Sequence, residues 1–69
     1  MKRILAHHII LNGERFGLSV AEISRDGKGL WSVKVSPFER ETAGTVFHSG
    51  TVVITEHDDR TVEPEVIFM

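Results

Sequence analysis

Two dipeptides, Asn12-Gly13 and Asp26-Gly27, each separate runs rich in apolar and β-branched residues, and they constrain the fold more than any other feature of the chain. A two-residue turn of this type needs positive φ at both central positions, which asparagine, aspartate and glycine tolerate best. At Asn12-Gly13 it sets Leu11 opposite Glu14, Ile9 opposite Phe16 and Leu5 opposite Val20. The same turn at Asp26-Gly27 sets Ile23 opposite Leu30, Val20 opposite Val33 and Leu18 opposite Val35. A three-stranded meander follows.

Period-2 alternation then sorts the side chains. One face collects Leu5, Ile9, Leu11, Phe16, Leu18, Val20, Trp31, Val33 and Val35, and is the expected core. The reverse face carries Ile4, Ala6, His8, Ile10, Ser19, Ala21, Ile23, Leu30, Ser32 and Lys34, too apolar at its first strand to be simply solvated.

Beyond the meander, Ser36 to Gly44 carries the helix signals: Ser36 with Glu39 fits a capping box, Pro37 a first helical position and Gly44 an exit. At most two turns fit. Thr45-Val46-Phe47-His48 and Thr51-Val52-Val53-Ile54-Thr55 read as a short hairpin or as one strand bulged at Gly50. His57-Asp58-Asp59-Arg60 is a polar turn. Thr61-Val62-Glu63 reads as a brief strand that Pro64 interrupts. The expected fold is one all-β domain over 1–69: a small antiparallel sandwich or partly open barrel of five to six short strands, with one short helical turn.

At 69 residues without cysteine, the chain lies near the lower limit for an independent core and has no disulfide to reinforce it. Oligomerisation is the remaining reinforcement, and a homodimer is expected. Candidate interface residues are Ile4, Ala6, Ile10 and Ile23 on the second apolar face, with Val66, Ile67, Phe68 and Met69 at the end of the sequence. That apolar end is expected to bury as an edge strand on its own monomer or against another subunit.

Charge excludes some partners. Through Thr55 there are seven Lys/Arg against five Asp/Glu, a sum of +2. From Glu56 there are five acids and Arg60, a sum of −4, and together these give the net −2. That balance and an isoelectric point near 6.0 do not favour a nucleic-acid partner. Met1-Lys2-Arg3 and the short apolar run after it lack the length of a signal sequence, and no run approaches a membrane span. A soluble, cytoplasmic chain is expected.

No catalytic, cofactor-binding or metal-ligating set is expected. His7 and His8 are adjacent in a strand and point to opposite faces, with His7 on the expected core face opposite Leu18. His48-Ser49 has no orienting carboxylate, and His57-Asp58-Asp59 lacks the spacing of a calcium loop. Glu22 falls beside Trp31 on the apolar face, near its rim. The expected role is a non-catalytic interaction or structural module. The alternative is a small-ligand or metal-binding β protein using the His8 face.

The order Ile4-Leu5-Ala6-His7-His8-Ile9-Ile10-Leu11, Ser19-Val20-Ala21-Glu22-Ile23, Asp26-Gly27-Lys28-Gly29-Leu30-Trp31-Ser32-Val33 and Gly50-Thr51-Val52-Val53-Ile54 resembles the N-terminal β segment of amidohydrolases. It also resembles short, uncharacterised stand-alone β proteins of Bacteroides-type gut bacteria. The resemblance spans residues 4–54. Ser49-Gly50 stands where the hydrolases carry Pro-Gly, no His-x-His follows, and 69 residues cannot hold their barrel. It therefore implies a β-sandwich-like architecture without hydrolase activity.

Overall fold

In the computed structural model, which describes residues 1–40 and 44–69, β1 (Lys2–Leu11) turns at Asn12-Gly13 into β2 (Glu14–Phe16). Asn12 has φ 50° and Gly13 φ 84°, the left-handed pair that a two-residue hairpin requires. The register is the expected one: Leu11 lies opposite Glu14 and Ile9 opposite Phe16. After a break at Gly17-Leu18, β3 (Ser19–Arg25) continues along the same side of β1, with Leu5 opposite Val20.

The second turn differs from expectation. β4 (Trp31–Pro37) pairs with β3 so that Ile23 faces Val33, Ala21 faces Val35 and Arg25 faces Trp31. Asp26 itself pairs with Leu30, its amide donating to the Leu30 carbonyl at 3.0 Å, so the loop is Gly27-Lys28-Gly29. Two features favour this loop. The Asp26 carboxylate accepts hydrogen bonds from the amides of Lys28 (2.8 Å) and Leu30 (2.9 Å), and Gly29 takes φ 83°. A tight turn followed by a left-handed glycine is the common three-residue hairpin loop. Relative to a two-residue turn, β4 is shifted by three residues, an odd number that turns the strand over.

β5 (Thr45–Thr55) is one long strand rather than a hairpin, and it runs parallel to β1. β6 (Glu65–Phe68) pairs antiparallel with β5, setting Val66 opposite Ile54. The result is a single mixed six-stranded sheet of order β4-β3-β1-β5-β6, with β2 also on β1. The parallel β1–β5 pair replaces the all-antiparallel arrangement expected from hairpins. Ser36 and Pro37 lie in β4, so Ser36 is not a helix cap. The described residues contain no helix; Glu41, Thr42 and Ala43 of the expected helical turn lie outside them. Thr61-Val62-Glu63 is turn and connection, and the strand begins after Pro64.

A crease crosses the sheet. The β1–β5 register shifts between Ala6 and His8, where one intervening residue of β1 faces the two residues Ser49 and Gly50 of β5. The break between β2 and β3 falls beside it at Gly17-Leu18. A bulge lets a strand change which face its side chains occupy. Around it, β1 contributes Ile4 and Ala6 to the core cluster before the crease and Ile9 after it, with Leu11 packed alongside, while Leu5 is buried on the other face of the strand.

The core is built from Ile4, Ala6, Ile9, Ala21, Ile23, Val52 and Ile54, against which Leu11, Phe16, Trp31, Val33, Val35 and Val66 pack. Fully burying such an aliphatic side chain contributes about 1.5–3 kcal/mol. Ile4, Ala6 and Ile23, expected on a docking face, are therefore core. Leu18 and Val20, expected inside, are not in that cluster, and Leu18 is 48% exposed. Crease and three-residue loop together account for the exchange of faces.

Trp31 of β4 and Val66 of β6 pack on the same core, so the sheet curls its two edges toward each other without closing into a barrel. The β5–β6 connection bridges the gap: the Arg60 carbonyl accepts a hydrogen bond from the Trp31 amide at 2.8 Å, and Pro64 is buried. No helix is long and apolar enough to cross a membrane among the described residues.

Candidate interaction surface

Every open strand edge exposes N–H and C=O groups able to pair with another strand, and folded proteins usually blunt such edges with charge, proline or brevity. The outer edge of β4 carries Lys34 and ends at Pro37, and its Trp31 amide is already used. β6 spans four residues and starts at Glu65. The first half of β5 is different.

β6 reaches along β5 only from Thr55 to Thr51, where the Thr51 and Met69 backbones exchange hydrogen bonds of 3.2 and 2.8 Å. Thr45 to Ser49 is paired with β1 on one side and, among the described residues, with no strand on the other. This five-residue edge has no charged residue and no proline. Its apolar side chains are open to solvent: Val46 is 57% exposed and Phe47 51%.

The two faces of this edge are distinct. On the core side, Val46 lies opposite Ile4 and His48 opposite Ala6. The His48 ring meets Phe68 edge-on at 5.1 Å, and its Nε2 is 2.9 Å from the Met69 carbonyl. On the outer side, Phe47 lies opposite Leu5 and meets the His7 ring edge-on at 5.4 Å. An apolar row of Ile10, Val53 and Ile67 continues this outer face beyond the crease.

Of the expected interface residues, the structure leaves Ile10 and Val66 half-buried and Ile67, Phe68 and Met69 exposed, and pairs the last four residues with their own monomer. Val46 and Phe47 were not among those expected. Their signal is legible in hindsight, since they precede Gly50 in a neutral, β-branched stretch. The missing information was where β6 stops.

Other expectations concerning the polar residues also change. His7 is exposed against Phe47 rather than on the core face. Glu22 faces away from Trp31, because it lies opposite Lys34 and pairs with Arg3 at 3.5 Å. His57, Asp58 and Asp59 form the polar turn, in which Asp59 accepts from the Thr61 hydroxyl (2.6 Å) and amide (3.0 Å). These bonds, the hydroxyl's first, hold the Asp59 carboxyl below its ordinary pKa, with a further lowering from His57. No group of three or more His, Cys, Asp or Glu able to hold a metal gathers among the described residues.

Comparison with protein-family models, curated proteins and solved structures finds no match to this chain.

Proposed function

We propose that the chain is a non-catalytic interaction module that self-associates by joining the Thr45–Ser49 edge of β5 to the same edge of a second copy. The observation carrying this reading is the unblunted edge itself: five uncharged residues with one side unpaired among the described residues and two exposed apolar side chains. A neutral segment pairs with its own copy at no electrostatic cost, and a two-fold axis makes one patch its own complement. Centred on Phe47, an antiparallel pair sets the two Phe47 rings together on the outer face and Val46 against the partner's His48 on the other. Ile10, Ile67 and Met69 extend the apolar surface beside it. Strand addition supplies main-chain hydrogen bonds, and the flanking side chains set the register. The cysteine-free composition fits a reducing, cytoplasmic setting.

Light scattering across a concentration series tests the proposal. The parent chain is expected to approach twice 7.7 kDa, and Phe47→Lys to remain folded with the mass of one chain. A parent that stays monomeric at millimolar concentration, or a Phe47→Lys variant that still dimerises, overturns it.

A further inference from the structure

At the open end of the curl, between the β3–β4 hairpin and the start of β6, lies a cavity of about 290 Å³. Its floor is apolar, formed by Ile23, Trp31, Pro64 and Val66, and is continuous with the core. Its rim on the β1–β3 side is cationic. Lys2 lies opposite Ile23, and Arg25 is two residues further along the same face, so both side chains stand over the same wall. The Arg25 guanidinium is 5.9 Å from the centre of the Trp31 ring, which keeps its charge beside the apolar floor.

Among the described residues the ion pairs are Arg3–Glu22 and Arg60–Glu56, and neither Lys2 nor Arg25 belongs to one. Two neighbouring cations without a carboxylate partner favour an anion between them. Glu63 on the facing wall disfavours a second negative group there. We propose that this mouth binds a small amphipathic monocarboxylate, its apolar chain on Trp31, Ile23 and Val66 and its head between Lys2 and Arg25. Concave, largely apolar sites with a few convergent polar groups, set in the mouth of a curved sheet, are where small ligands bind. The site lies away from the Thr45–Ser49 edge and does not depend on self-association.

The test titrates hexanoate, hexanol and hexylamine into the full chain, following the fluorescence of Trp31, its one tryptophan, and amide shifts in an NMR spectrum. Saturable hexanoate binding is expected, with shifts concentrated at Ile23, Trp31 and Val66, and at least fivefold tighter than hexanol or hexylamine. Arg25→Gln, an exposed substitution expected to leave the rest of the spectrum unchanged, should weaken hexanoate at least fivefold and leave hexanol unaffected. Absence of saturable binding by hexanoate overturns the site. Equal binding of hexanol, or an unchanged hexanoate affinity in Arg25→Gln, overturns the carboxylate assignment.

Discussion

Asn12 and Glu56 are joined by two hydrogen bonds: the Asn12 carboxamide donates to Glu56 Oε1 at 2.9 Å, and the Glu56 amide donates to Asn12 Oδ1 at 2.8 Å. Glu56 also receives Arg60 at 2.6 Å, and the Arg60 carbonyl holds Trp31. One turn residue thus ties the first hairpin to the connection that bridges the open side. Asn12→Gly keeps the left-handed backbone and removes both side-chain bonds, so it should cost about 1–2 kcal/mol. Asn12→Ala adds the strain of a left-handed Cβ and should cost about 1 kcal/mol more. Urea denaturation of the pair separates the two contributions.

Truncation on the two faces should give opposite results. Ile9→Ala and Ile54→Ala remove fully buried side chains and should each cost about 2–5 kcal/mol, enough to unfold much of so small a domain. Leu18→Ala, at a half-exposed site beside the crease, should cost less than about 1 kcal/mol. Thermal melts monitored by circular dichroism distinguish these outcomes.

The first hairpin was legible because Asn12-Gly13 admits one turn geometry, and its register carries through β2 and β3. Asp26-Gly27 misled for a physical reason. Gly29 offers a second left-handed position, and the Asp26 carboxylate binds the Lys28 and Leu30 amides only if the loop is longer. On β5 the crease falls at the bulge expected at Gly50, but its place on β1 has no local signature, because His7-His8 meets that bulge only through pairing with a partner more than forty residues away. Parallel pairing of β1 and β5 is likewise nonlocal. Strict alternation therefore gave the right strands and, for half of the sheet, the wrong face. The interaction edge depended on nonlocal pairing too: Val46 and Phe47 are open because β6 reaches along β5 only as far as Thr51.

Gly50 should be intolerant of any side chain. Its φ is 147°, and a Cβ there would lie 2.5 Å from the Met69 carbonyl oxygen and 3.3 Å from His48 Nε2. Gly50→Ala should cost about 1–3 kcal/mol. Amide exchange should accelerate first at Thr51 and Met69, whose backbone pairing the new methyl group displaces.

The Asp59 turn should respond to acid. Its carboxyl is held below the ordinary value in the folded chain, so the turn is stabilised above the unfolded pKa and loses that contribution as pH falls through the folded one. Thr61→Val removes the hydroxyl donor and should raise the Asp59 pKa toward the ordinary value. NMR titration of the carboxyl carbon measures both. Because the group is solvent-exposed, the effect on global stability should be small.

Site-resolved hydrogen exchange of the Thr45–Ser49 amides over a hundredfold range of protein concentration tests the edge pairing most directly. Amides on the open side of β5 should become progressively protected as concentration rises, while those of Val33 and Val35 on the β4 edge do not change. Rapid, concentration-independent exchange of the open-side amides within Thr45–Ser49 would contradict self-association through this edge.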